Sequence, residues 1–207
     1  PDSSDQSVEI EADNFWEFVE AVNPSLLDFE HVPRLVEVAD RVVEGDITRL
    51  MVLMPPRYFK STTFSRLLPA YFLHATQKKV GLASYSSQLA WKLSGDARNY
   101  YEVAGGQTAG DTDAKREWAT EQGGRMWADG VKGSITGSGY DLGVIDDPMK
   151  PQHVRSDAFK RQFRTWYKDT WYNRKDSADA RMVIVMQRLG PEDPIDFLFR
   201  REVGRGE

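Results

Sequence analysis

The chain has no cysteine among its 207 residues. Disulfides and thiolate metal sites are therefore excluded, and a reducing compartment is compatible with the sequence. Its three histidines, His31, His74 and His153, are too scattered to suggest a metal cluster. Long apolar runs are also missing: none approaches the roughly 20 residues needed to span a bilayer. No signal peptide is visible, so the expectation is a soluble, intracellular protein with no membrane partner. Basic residues are absent from the start of the chain, where Pro1 to Glu30 carries nine acids and no Lys or Arg. The remainder holds all 27 basic residues against 23 acidic ones, so the net charge of −5 conceals a slightly basic body. An acidic total does not exclude a nucleic-acid partner, because a local basic surface decides that. It does argue against a protein that coats DNA indiscriminately.

What is present is enough apolar material, 40% of residues, for one sizeable core. Residues 1–12 are acidic and Ser-rich and are expected to fray, leaving 13–207 as a single domain. Apolar residues at helical spacing predict helices over Asn14 to Val22 and Val32 to Glu44, the second closed by Gly45. Thr48 to Met54 reads as a buried strand stopped by Pro55 and Pro56. A helical pattern resumes from Ser61 through Phe64, Leu67, Leu68, Tyr71 and Phe72. Lys79 to Ser84 is a second strand and Gln88 to Tyr101 a second crossover helix, which together imply parallel βαβ units. Between Thr108 and Ser138 the composition turns to Gly, Asp and Thr, with a hairpin predicted across Gly123-Gly124. Asp141 to Ile145, a helix over Asp157 to Tyr172 capped by Ser156, and Arg181 to Gln187 complete the pattern. The predicted class is α/β, three layers with a mainly parallel central sheet and a small hairpin insertion.

Chemistry concentrates in two places. Met51 to Phe64, MVLMPPRYFKSTTF, puts Lys60-Ser61-Thr62 just after a strand, where a phosphate-binding loop sits. Such loops use backbone N–H groups, a Lys for the β and γ phosphates and a hydroxyl for Mg²⁺. Met54 and Phe59 occupy its glycine positions, so the match by itself is weak. The second place is the strand end Ile145-Asp146-Asp147-Pro148. Paired acids there suit a phosphate loop, since Mg²⁺ must be held and a water aimed at the γ phosphate. Elsewhere the simpler readings prevail. Phe159, Phe163, Trp166 and Tyr167 recur at helical spacing as a core stripe. Arg155, Lys160, Arg161, Arg164 and Lys168 on the same helix read first as a solvated face, with a DNA or subunit contact as the alternative.

Taken in order, MPPRYFKST, ASYSSQLA, GSITGSGYDLGVIDDPMK, the aromatic and basic helix and MVIVMQRLG resemble the ATPase domain of the large terminase subunit of tailed bacteriophages. The similarity runs from about Val32 to Phe199. It implies a P-loop NTPase fold and Mg²⁺-dependent ATP hydrolysis that drives double-stranded DNA into a procapsid. Lys60 would contact the phosphates, Ser61 would ligate Mg²⁺ with Asp146, and Thr62 would support a loop running from Pro56 through Arg57, Tyr58 and Phe59. Arg57 would sense the γ phosphate, Asp147 would polarise the attacking water, and Gln187 would couple hydrolysis to domain movement. Asp147 stands where such motors commonly carry the longer Glu. Trp16, Phe29 and Arg34 precede the phosphate loop at the distance where terminases position adenine, while core packing explains the two aromatics equally well. Lys132 and Arg125 are candidates for a basic residue acting in a neighbour's site. The implied partners are DNA, a portal protein, a small terminase subunit and further copies in a ring, all within the host cell cytoplasm. The family normally adds a C-terminal nuclease, which nothing after Val203 could form, so the expectation is a chain without cleavage activity. Phe59 is the main departure: a side chain there removes the glycine's freedom to adopt positive φ, so the loop is expected to rearrange before holding ATP. A helicase-like translocase and a DNA-binding scaffold with a degenerate loop are the competing readings.

Overall fold

In the computed structural model, residues 10–110, 115–131, 133 and 138–202 are described. Helix α1 (Phe15–Val22) starts where the Asn14 side chain accepts the Glu17 N–H, and it buries Phe15, Phe18 and Val19. Helix α2 (Val32–Glu44) stops at Gly45, whose φ of 96° supplies a left-handed cap. Strand β1 (Arg49–Leu53) leads through the two prolines into a continuous helical run. That run consists of α3 (Lys60–Thr62), a π turn (Thr63–Leu67) and α4 (Leu68–Thr76). The π turn falls just before Pro69. Proline has no N–H for the Ser65 carbonyl, and its ring would press on that carbonyl in a regular α-helix, so a locally wider turn relieves both problems.

Strand β2 (Lys79–Ser84) and helix α5 (Ser87–Val103), capped by Ser86, follow. Then come β3 (Glu117–Ala119), β4 (Arg125–Gly130), β5 (Leu142–Asp146), α6 (Asp157–Trp166), β6 (Arg181–Met186) and α7 (Pro194–Glu202). The six strands form one sheet in the order β1-β6-β5-β2-β4-β3. Every pairing is parallel except β3 with β4. Side chains alternate across it. Val80, Leu82, Leu142, Val144, Val183 and Val185 join the core beneath α1, α2, α4 and α5. Ala83, Ile145, Met182 and Ile184 join a second core with Phe159, Phe163, Trp166 and Leu198 of α6 and α7. Helices therefore flank both faces, and strands buried on both sides read as the unbroken apolar runs from which they were predicted. Among the described residues no helix is long and apolar enough to cross a membrane.

Glycines in two central strands make room for a layer of large rings. A Cβ on Gly81 would lie 2.4 Å from Trp127 Cζ2, and one on Gly143 would lie 2.6 Å from the Tyr140 ring. The freed space holds Trp127 edge-on to Trp171 at 5.6 Å, with Tyr140 4.9 Å from Trp171.

Two expectations need correction. The β3–β4 hairpin is not an insertion set off from the sheet, because β4 pairs in parallel with β2 along its whole length, from Lys79↔Arg125 to Ser84↔Gly130. Met126 and Ala128 enter one core and Trp127 the other, which makes this a main-sheet strand rather than a surface ribbon. At the N-terminus, Ile10 and Ala12 pack on the first core and the Ile10 N–H donates to the Ala104 carbonyl at 3.0 Å. The tied-down chain thus begins before residue 13, while residues 1–9 lie outside the described ones.

Candidate functional site

Parallel pairing aligns the C-terminal ends of three strands: Leu53 of β1 lies opposite Met186 of β6, and Asp146 of β5 opposite Val185. Crevices beyond such strand ends are where open α/β sheets bind ligands. Residues 55–59 leave β1 there and turn into α3. Pro56, Arg57 and Tyr58 are exposed, Ser61 and Thr62 are half-buried, and Lys60 is buried. Arg57, Phe59, Lys60, Ser61, Thr62 and Arg66 line an open cavity of about 360 Å³. Pro56 and Tyr58 flank it without lining it.

Phe59 has φ 58° and ψ 10°, a left-handed backbone at the entry to α3. The expected loss of positive φ therefore does not occur. A non-glycine residue there costs roughly 1–2 kcal/mol, and ring contacts offset the strain: the Phe59 ring lies 4.4 Å from Phe29 and stacks on His31 at 6.0 Å. His31 Nε2 lies 3.3 Å from the Tyr58 carbonyl oxygen, tying the N-terminus of α2 to the loop. Of the adenine-positioning candidates, Phe29 is thus brought to the loop, while no hydrogen bond, ion pair or ring contact joins Trp16 or Arg34 to it. Strain gathers in this region: among the described residues five non-glycines have positive φ, and Arg57, Phe59 and Asp147 are three of them. Such residues cluster where function constrains the backbone.

The acids converge on the loop. Lys60 Nζ donates to Asp147 Oδ2 at 3.2 Å, across 87 positions of sequence. Asp147 leaves β5 with φ 39°, and its N–H donates to the Val185 carbonyl of β6 at 2.8 Å. Asp146 is 2% exposed and accepts a hydrogen bond from the Ser65 hydroxyl. Burial pushes the Asp146 carboxyl above its ordinary value and the Asp147 charge adds to this. The Ser65 and Ser61 hydroxyls and the Lys60 ammonium oppose the rise. Ser61 and Asp146, expected to share Mg²⁺, are therefore side by side. Ser84, in register with Asp146, has a buried hydroxyl with no hydrogen-bond partner, as does Thr63.

Gln187 follows β6 directly, half-buried, where Met54 N–H reaches the Met186 carbonyl at 3.3 Å. Its backbone position lies between the exits of β1 and β5. Arg125 is elsewhere. It opens β4 at the opposite end of the sheet and pairs with Glu117 at 3.1 Å. Lys132 lies outside the described residues. Ser65 was missed in the sequence, although it stands four positions after Ser61, on the same side of a helix. Asp96 was missed too: it holds Arg66, on the cavity wall, at 3.0 Å.

Among the described residues no three His, Asp or Glu side chains gather as a metal cage. One carboxylate beside one hydroxyl is nevertheless a donor set that suits Mg²⁺, which keeps several waters and takes further oxygens from substrate phosphates. No protein-family model and no curated protein matches the chain.

Proposed function

We propose that this chain is the motor domain of a large terminase, a Mg²⁺-dependent ATPase that drives double-stranded DNA into a procapsid. One observation carries the catalytic part of this reading: Lys60 and Ser61, on the loop that leaves β1, meet Asp147 and Asp146 at the end of β5, with the end of β6 and the backbone of Gln187 between those strands. The order and spacing of the motifs around that site support the terminase assignment. A portal, a small terminase subunit and a ring of copies belong to the same proposal.

In the structure Asp147 neutralises Lys60 at 3.2 Å. An incoming triphosphate would compete for the ammonium, so Lys60 would transfer to the β and γ phosphates. That movement frees the Asp147 carboxylate to accept a hydrogen bond from water and aim it at the γ phosphorus. Attack forms the new P–O bond as the bond to the bridging oxygen breaks, leaving ADP and inorganic phosphate, with the water proton passing to Asp147 or a phosphate oxygen. Ser61 and Asp146 would hold the metal ion, which when bound offsets charge on the β and γ oxygens. The exposed Phe29 ring beside the loop offers a face for adenine.

The test compares ATP turnover by the wild type, Lys60→Ala and Asp147→Ala. Turnover in the wild type with a loss of at least about 100-fold in both variants is expected. Equal residual rates in all three would sink the reading.

A further inference from the structure

Helix α6 buries Phe159, Phe163 and Trp166, and the following turn buries Tyr167. This leaves Arg161, Gln162, Thr165 and Lys168 exposed, with Arg164 half-buried beside them. Arg161, Arg164 and Lys168 are spaced three and four apart, so they form one stripe. None of the three makes an ion pair with a described residue, although Arg164 shares a narrow crevice with Glu192 and Asp193. Lys160, one position away, is held by Glu192 at 3.0 Å and Asp157 at 3.5 Å. By contrast Arg161 has no hydrogen bond or ion pair with any described residue. The contacts made by Arg164 and Lys168 are to a ring: they lie 5.7 Å and 5.8 Å from the centre of Phe197 on α7. Asp196 of α7 is taken by Arg200 at 2.9 Å and Arg188 at 3.8 Å. Exposed Asp169 is the nearest acid in sequence and makes no ion pair with any described residue. Phe197 thus gathers two like charges about one ring.

We propose that this stripe is a contact for the phosphodiester backbone of double-stranded DNA, made by Arg161, Arg164 and Lys168 with Gln162 and Thr165 as neutral donors. The inference rests on the reading of the chain as a DNA motor. Seven residues of helix span about 10 Å, over which one strand of B-form DNA presents about three phosphates. Three cations therefore meet three anions. No aromatic ring of α6 faces outward, so the surface lacks the stacking platform that single strands use. Backbone contact alone carries no sequence information, which suits a motor that must move along any sequence. The stripe is also tied to the proposed site: α6 follows Asp147 in the chain, while α7 follows Gln187 and is pinned by buried Asp193, which accepts from the Leu189 N–H at 3.0 Å.

The test measures binding of the whole chain to a 30-base-pair duplex of arbitrary sequence between 50 and 200 mM salt. The triple variant Arg161→Gln, Arg164→Gln, Lys168→Gln should lower the slope of log K against log salt by about 2.7, at roughly 0.9 per phosphate. Arg200→Gln, an exposed arginine paired within its own helix, should leave the slope unchanged. Circular dichroism and the thermal midpoint check that the triple variant is folded. A wild-type slope in the folded triple variant, or no duplex binding by the wild type, overturns the proposal. Retained duplex binding with altered sedimentation would assign the stripe to a neighbouring copy instead, and also overturns it. Loss of the slope in a chain without ATP turnover would leave the DNA contact standing and remove the motor reading.

Discussion

Replacing Phe59 by alanine and by glycine separates backbone strain from ring packing. Both substitutions delete the contacts with Phe29 at 4.4 Å and His31 at 6.0 Å. An aromatic pair contributes about 0.5–1.5 kcal/mol beyond its buried area. Phe59 is only half-buried, so lost burial adds about 1 kcal/mol. Alanine keeps the cost of φ 58°, whereas glycine removes roughly 1 kcal/mol of it. The expected destabilisation is about 2 kcal/mol for Phe59→Ala and about 1 kcal/mol for Phe59→Gly. At an ordinary position the order is reversed, because glycine's freer unfolded chain makes it the worse residue by about 0.4–1 kcal/mol. The sign of the difference is therefore diagnostic. Urea unfolding of both variants at matched m-values reads it directly, and the gap corresponds to about 2–4 °C in Tm for a chain of this size. Phe59→Ala equal to or more stable than Phe59→Gly would refute the account of Phe59 as a strained residue held by its ring.

Three further substitutions probe the site and its support. Ser65→Ala leaves Asp146 without its hydroxyl donor and should lower unfolding stability by about 1.5–3 kcal/mol, the range for hydrogen bonds to charged groups; wild-type stability would contradict the assigned bond. Gly81→Ala drives a methyl to within 2.4 Å of Trp127 and should cost about 1–3 kcal/mol, so an unchanged thermal midpoint would show that the ring layer yields freely. Asp146→Asn tests the raised carboxyl. A native pKa above the unfolded value of 3.8 means the folded chain holds that proton more tightly, so this group favours folding increasingly as pH falls from neutral towards 3.8 and adds nothing more below it. The asparagine variant should therefore gain on the wild type most at neutral pH, and a gap that widened on acidification would reverse the assignment.

The strands were legible because parallel strands covered on both faces leave uninterrupted apolar sequence. Lys79 to Ser84 was read with its observed ends, and Arg181 to Gln187 ran one residue past β6. The status of β4 was not legible, since a Gly-Gly turn between two short runs looks the same whether or not the second run joins a larger sheet. Lys60, Ser61, Asp146 and Asp147 could be singled out because each belongs to a local pattern. Their meeting across 87 positions could not, and nor could the left-handed backbone at Phe59. Residue type argues against that conformation, and only rings from residues 29 and 31 outweigh the argument. The π turn before Pro69 likewise depends on the helix continuing through a proline, where sequence rules favour an end.

The place of β6 in the sheet has a consequence for how the protein comes to be assembled. The loop emerges from β1 and the acids from β5, yet those strands never touch; β6 fills the gap between them. Until Arg181–Met186 has docked, no strand fills the gap of roughly 9–10 Å between β1 and β5, and only side-chain links such as Lys60 to Asp147 join the loop to the acids. The crevice is thus a late, non-local product of folding. A chain cut between Arg174 and Arg181 would keep every residue of the loop and both acids while losing the spacer that brings them within reach of one another.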